Sequence, residues 1–145
     1  MRLGIAWMGK TKYPATVAGT AEYLRRLRGF GRFASVDAVE LAGKQPQRAL
    51  LQRAAGTRLW LFDPAGRSFA SEAFAAFLER QTATFPQEML FAIGGADGFD
   101  PAVRAAAAGS VSLTPLTLSH ELARLVALEQ LYRALAILTH HPFPH

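Results

Sequence analysis

The stretch that decides the fold is Glu88-Met89-Leu90-Phe91-Ala92-Ile93-Gly94-Gly95-Ala96-Asp97-Gly98. Its first six residues form a mostly apolar run of strand length, which is typical of a strand that is buried on both faces of a sheet. Two adjacent glycines end the run, and Asp100-Pro101 predicts the start of a helix. A buried strand, a glycine turn and a helix in this order predict a parallel α/β sheet.

The same alternation extends outward in both directions. We predict strands over residues 3–8, 33–41, 58–62, 88–93 and 110–113, and helices over residues 15–27, 47–55, 69–82, 100–108 and 119–139. The sequence Asp63-Pro64-Ala65-Gly66 predicts a turn that closes the third strand. The length of 145 residues suits one domain over residues 1–145. In such a fold, ligands bind outside the carboxyl ends of the strands.

Composition excludes several classes of protein. Half of the residues are apolar, which excludes a disordered chain, and there is no cysteine, which excludes disulfides, thiol catalysis and cysteine-ligated zinc. The most apolar long stretch, residues 122–138, contains three charged residues, so we expect no membrane span. We find no secretory signal and expect a cytoplasmic protein without a bound metal.

Charge is distributed unevenly along the chain. The net charge is +5, but residues 1–58 hold eleven basic and three acidic residues, whereas residues 59–145 hold five basic and eight acidic ones. A basic half favours a polyanionic partner, because contacts to phosphate release counterions. Frequent arginine in a GC-rich genome is the alternative explanation.

The loops that follow the strands contain neither a GxxxxGK[ST] nor a GxGxxG phosphate-binding motif. Gly94 and Gly95 allow a ligand to approach the backbone closely, or they simply make a tight turn. Residues 113–118 form an apolar segment that either walls a ligand pocket or acts as a buried connector.

Several segments resemble the motifs of one family. Residues 91–98 resemble its IGGxxG loop, residues 112–120 its SLSxxTxxH segment, residues 129–134 its EQxYRA helix, and residues 141–142 the start of its HPYH tail. Further matches lie at residues 22–26, 42–44 and 71–72. Because the matches run in order along nearly the whole chain, the chain is similar to the RlmH (YbeA-type) SPOUT family of methyltransferases.

This resemblance implies a single α/β domain with a deep C-terminal trefoil knot, a homodimer and S-adenosylmethionine (S-adenosyl-L-methionine) as cofactor. It implies methylation of N3 of a pseudouridine in 23S rRNA of the assembled 70S ribosome. The residues that it implies for the cofactor pocket are Phe62, Gly94, Leu113, Thr114, Pro115, Leu116, Thr117 and Leu118.

Transfer to N3 requires loss of an imide proton, so a base or an anion-stabilising group is needed. The catalytic candidates are His120, Tyr132, Arg133, His141 and His145, with His140 as a further histidine nearby. Glu129 precedes Arg133 by four residues, which predicts an ion pair on one helix face. The tail departs from the family, because Phe143-Pro144-His145 replaces its last residues.

The residues that we expect to contact RNA are Arg25, Arg26, Arg28, Lys44 and Phe143. Two apolar stripes on the last helix, Leu122-Leu125-Val126 and Leu128-Leu131-Leu135-Leu138, favour a homodimer, because one stripe suffices for a surface helix. Two other functions stay open: a catalytically weakened RNA-binding protein with this fold, and a methyltransferase acting on another RNA.

Overall fold

A computed structural model describes residues 1–84 and 87–142 of the chain. The strands in this part are β1 (Arg2–Met8), β2 (Ser35–Leu41), β3 (Arg58–Ser68), β4 (Glu88–Ile93) and β5 (Gly109–Ser112). The helices are α1 (Pro14–Gly29), α2 (Pro46–Ala54), α3 (Ser71–Thr84), α4 (Pro101–Ala106) and α5 (His120–Leu138). The elements predicted from the sequence are confirmed, with most boundaries shifted by one or two residues.

All strand pairings in the sheet are parallel, and the strand order is β2-β1-β4-β3-β5. Helices α1, α3 and α5 cover one face, and α2 and α4 cover the other. Strand β1 shows why the sheet is buried on both sides. Leu3, Ile5 and Trp7 pack toward α1, α3 and α5, whereas Ala6 and Met8 pack toward α2 and α4. The predicted parallel α/β fold is therefore confirmed; the trefoil knot stays a prediction.

Strand β3 is longer than predicted. The predicted turn at residues 63–66 lies inside the strand as an irregularity, where pairing with β5 shifts register between Phe62 and Arg67. The Asp63 carboxylate accepts a hydrogen bond from the Ala65 N–H at 2.8 Å, so the turn signal acts locally. Gly66 lets the strand continue, because a Cβ there would lie 2.7 Å from the Ser110 backbone.

Helix α5 runs back along the sheet from its carboxyl edge, where β5 ends, toward its amino edge. The Ser119 side chain caps its start by accepting a hydrogen bond from the Leu122 N–H. Its C-terminus closes with hydrogen bonds from the His141 N–H to the Ala136 carbonyl and from the His140 N–H to the Ile137 carbonyl. His140 has a φ of 53°, so it is the left-handed residue of a Schellman motif.

Candidate functional site

A cavity of about 410 Å³ lies at the carboxyl edge of the sheet, where the segments that follow β3, β4 and β5 meet the start of α5. This volume is in the range of small-molecule sites. Its lining residues are Phe62, Asp63, Pro64, Ile93, Gly94, Gly95, Ala96, Gly98, Phe99, Leu113, Thr114, Leu116, Thr117, Leu118, Ser119, His120 and Ala123. Apolar walls with a few hydroxyl groups and one imidazole suit a ligand that has an aromatic ring and a polar part.

The residues predicted from the resemblance to form the cofactor pocket converge on this cavity, with one exception. Phe62, Gly94 and five members of the segment 113–118 line it. The exception is Pro115, which is exposed and is not a lining residue. The Leu116 N–H donates to Thr114 Oγ1 at 3.2 Å, which closes a turn around Pro115 and leaves its ring in solvent. The segment is therefore a cavity wall, and the alternative of a buried connector is wrong.

Gly94 and Gly95 begin a tight turn, and the close approach of a ligand to their backbone stays a prediction. The Gly98 N–H donates to the Gly95 carbonyl at 3.1 Å, so residues 95–98 form a tight turn. A Cβ on Gly94 would lie 3.4 Å from three backbone atoms of Gly98, so a larger side chain has little room there. The turn keeps the floor of the cavity free of side chains at this point.

An ion pair that sequence reasoning missed lies at the rim of the cavity. Arg104 Nη2 is 2.5 Å from Asp63 Oδ2, and the Arg104 guanidinium lies 5.9 Å from the centroid of the Phe99 ring. The hydrogen bond from Arg104 lowers the pKa of Asp63 below its ordinary value. The sequence signal is the segment Asp63-Pro64-Ala65-Gly66, which by itself predicts only a turn.

Of the predicted catalytic residues that the structure describes, only His120 lines the cavity. It is the first residue of α5 and is half-buried. Its Nε2 atom lies 3.9 Å from the position of a Cβ built on Gly9, so it also borders the loop after β1.

Tyr132, Arg133 and His141 lie near the other end of α5. At 1.5 Å per residue, Tyr132 and Arg133 are about 18–20 Å along the helix from His120. The Tyr132 ring packs 5.6 Å from Phe30, and His141 meets the edge of the same Phe30 ring. The predicted ion pair is confirmed, because Arg133 Nη2 lies 2.9 Å from Glu129 Oε1. Phe143 and His145 lie outside the described residues.

The residues predicted to contact RNA are divided between the two edges of the sheet. Arg25 and Arg26 both pair with Glu22, at 2.6 and 2.9 Å, and their hydrogen bonds lower the pKa of Glu22 to about 2. Arg28 donates to the Val36 carbonyl at 2.9 Å, which puts this group at the amino edge. Lys44 is exposed and follows β2 at the carboxyl edge.

Two further findings concern the described residues as a whole. Within residues 1–84 and 87–142, no group of three or more His, Cys, Asp or Glu residues could hold a metal ion. In the same ranges, no helix has the length and apolar character needed to cross a membrane.

The chain is similar to known proteins over nearly its whole length. The model of a family described as "Predicted SPOUT methyltransferase" matches residues 1–144. A protein of Sorangium cellulosum named "Ribosomal RNA large subunit methyltransferase H" is 43% identical over 148 residues, which cover 100% of both chains. A protein of Koribacter versatilis with the same name is 39% identical over 99% of this chain and 97% of its own.

Solved structures are similar at the level of the fold. The SpoU methyltransferase AviRb from Streptomyces viridochromogenes matches with a TM-score of 0.50 and 19% identity, over 95% of this chain. The match spans 60% of the length of that structure.

Proposed function

The chain belongs to the SPOUT methyltransferase family, and on that premise we propose that it methylates large-subunit ribosomal RNA with S-adenosylmethionine as methyl donor. The observation that carries the proposal is the cavity at the carboxyl edge, which gathers the segments 62–64, 93–99 and 113–120. Relatives that share the full length of this chain carry the name of this activity. Because its substrate is the ribosome, we expect the protein to work in the cytoplasm.

The cavity fits this donor. Leu113, Leu116 and Leu118 offer apolar contacts for an adenine ring, and the backbone around them offers N–H and carbonyl groups for its polar edge. Pro115 has no N–H, so hydrogen bonds to adenine come from its neighbours. Gly94 lines the cavity without a side chain. When bound, S-adenosylmethionine supplies a methyl group that its sulfonium already activates, so the protein has to orient the partners and exclude water.

For the acceptor, we propose N3 of a pseudouridine in 23S rRNA within the 70S ribosome, as in the family that the sequence resembles. N3 bears an imide proton, and its removal requires a base or a group that stabilises the anion. His120 is the candidate at the cavity, because it is the histidine that lines it among the residues that the structure describes. Tyr132, Arg133 and His141 are too far along α5 to help in the same chain.

A homodimer would remove this separation. Three large apolar side chains, Tyr13, Val17 and Leu122, are 64%, 57% and 50% exposed near the starts of α1 and α5. A second copy that packs antiparallel along this face and along α5, with the two-fold axis near the middle of the helix, would bring the end of its α5 toward the cavity of the first. The first of the two predicted apolar stripes thus supports the dimer, whereas Leu128, Leu131 and Leu135 of the second are buried within the chain.

Methyl transfer is the direct test. Ribosomes from a strain that lacks this gene are incubated with the protein and labelled S-adenosylmethionine, and the rRNA is digested and examined by mass spectrometry. We expect one methyl group per 23S rRNA, on a pseudouridine. Binding of ribosomes without transfer would favour the weakened RNA-binding protein, and transfer to transfer RNA alone would favour an enzyme with another substrate.

The dimer is tested separately by Leu122→Asp. A charge in the apolar face should convert a dimer into a 15.7 kDa monomer in sedimentation and remove transfer. The control is Ala83→Asp, which adds the same charge at an exposed position of α3. A wild-type protein that sediments as a monomer at micromolar concentration contradicts the dimer.

A further inference from the structure

We propose that residues 9–13, the loop between β1 and α1, form a rigid phosphate-binding lip beside the cavity, in which Lys10 and Lys12 contact RNA backbone phosphates next to the target nucleotide. This inference rests on the proposed function, since it takes the polyanion to be ribosomal RNA. It adds a surface that the sequence analysis did not include among the RNA contacts.

The position of the lip is the first argument. A Cβ built on Gly9 would lie 3.9 Å from Nε2 of His120, which lines the cavity. In the turn after the neighbouring strand β4, a Cβ built on Gly95 would lie 3.8 Å from Cβ of Met8, the last residue of β1. The lip therefore begins at the wall of the cavity, where β1 and β4 end side by side.

The backbone of the lip is fixed by two carboxylates. The Thr11 N–H donates to Glu40 Oε1 at 2.9 Å. The next two N–H groups, those of Lys12 and Tyr13, donate to the two oxygens of Glu121 at 3.0 and 3.3 Å. With three consecutive N–H groups bound in this way, the lip offers an anion its side chains rather than its backbone.

Both carboxylates are ionised at neutral pH. Hydrogen bonds from Thr11, with help from Trp7, lower the pKa of Glu40 below its ordinary value. Burial by itself would raise the pKa of Glu121, but hydrogen bonds from Lys12, Thr16 and Tyr13 bring it below its ordinary value.

A buried arginine lies beneath the lip. Arg124 is 1% exposed, its guanidinium lies 4.2 Å from the centroid of the Trp7 ring, and it donates a hydrogen bond to Thr11 Oγ1. Its Nη1 atom is 4.0 Å from Glu40 Oε1. This positive charge offsets one of the two carboxylates, so the lysines give the lip a net positive charge. Because it is buried, Arg124 supports the loop and does not itself meet RNA.

The two lysines are available to a partner. Both are exposed, and in the part of the chain that the structure describes neither lies within 4.0 Å of a carboxylate oxygen. An exposed ammonium without an ion pair is a point charge suited to phosphate. Since the loop is already ordered, its backbone loses little entropy when RNA binds.

The test compares single changes of equal charge, Lys10→Gln and Lys12→Gln, with Arg80→Gln. Arg80 is an exposed residue in the second half of α3, near the amino edge of the sheet. For each variant we measure KM for ribosomes, kcat, Kd for S-adenosylmethionine and the salt dependence of ribosome binding. We expect each lysine change to raise KM about 3- to 10-fold and to lower the salt slope by about 0.7–0.9, with kcat and the Kd for S-adenosylmethionine unchanged. Arg80→Gln should leave all four quantities at their wild-type values.

Lysine variants that behave like Arg80→Gln would contradict the proposed phosphate-binding lip. Weaker binding of S-adenosylmethionine with an unchanged KM for ribosomes would also contradict it, because the lysines would then contact the methyl donor. Ribosome binding by the wild type is measured even where it transfers no methyl group. A salt slope of ribosome binding that falls by about 0.7–0.9 in each lysine variant would then support the lip while the proposed enzyme activity fails. If the wild type transfers methyl groups and the salt slopes of the variants are unaltered, the proposed enzyme activity is supported and the lip is contradicted.

Discussion

Helix α5 joins two regions whose candidate residues have different surroundings. At its start, His120 lines a cavity with glycine and leucine walls, and Lys10 and Lys12 extend from a loop that carboxylates hold in place. Near its end, Tyr132 and Arg133 pack against their own chain, where Tyr132 meets the Phe30 ring and Arg133 pairs with Glu129. The first region has the properties of a binding site. In the proposed dimer, the second region would act at the cavity of the other copy. We therefore expect changes at the cavity to affect donor binding, changes at the two lysines to affect KM for ribosomes, and changes in the second region to affect turnover.

The largest effect should come from filling the floor of the cavity. Gly94→Val should abolish measurable S-adenosylmethionine binding, because the new Cβ already lies 3.4 Å from the backbone of Gly98, so its two methyl groups must displace that turn or enter the cavity. Gly94→Ala should have a smaller effect in the same direction. Calorimetry measures both.

Gly29→Ala is the control for this series, since it lies at the amino edge and a Cβ there meets nothing within 4 Å. Unchanged affinity in a folded Gly94→Val protein would show that the donor binds in another part of the molecule. The cavity at the start of α5 would then not be the donor site.

The next effect concerns the end of the chain beyond α5. Removal of the residues after His141 should leave S-adenosylmethionine binding unchanged and remove most of the methylation of ribosomes. Phe143→Ala alone should lower kcat/KM about 5- to 150-fold, because stacking on a base is worth about 1–3 kcal/mol. Steady-state kinetics with ribosomes measures the loss.

Thr139→Ser is the matched control, since serine keeps the hydroxyl that donates a hydrogen bond to the Leu135 carbonyl at the end of α5. Full activity in the truncated protein would show that the altered tail is dispensable. Proton removal would then belong to His120, to Tyr132 or Arg133 of a second copy, or to the ribosome.

The smallest effect should come from the arginines at the amino edge. The combined change of Arg25, Arg26 and Arg28 to Gln should lower the salt slope of ribosome binding by about one unit or less, although three charges are removed. Two of them share the Glu22 carboxylate, so much of their charge is already balanced within the chain. Lys44→Gln, at the carboxyl edge, should by itself lower the slope nearly as much. A fall of almost three units in the triple variant would show that the amino edge contacts phosphate directly.

Local patterns in the sequence were sufficient for most of the fold. The alternation of short β-rich runs with helical stretches predicts the strands and helices in their order, because side-chain periodicity and turn residues act within a few positions. Strand β3 is the instructive exception. Its turn signal was real, as the hydrogen bond between Asp63 and Ala65 shows, but pairing with β5 extended the strand past it to Ser68.

The sequence by itself determined the parallel α/β class, the family resemblance and the segments 62–66, 94–98 and 113–118 that follow the strands. Only the tertiary structure decided which residues meet. It brings His120 to the cavity and leaves Tyr132 at the far end of α5, and it buries Arg124 beneath Thr11, more than 100 positions away in sequence. The physical reason is that strand order and helix direction set distances across the sheet, and neither is contained in the spacing of residues along the chain.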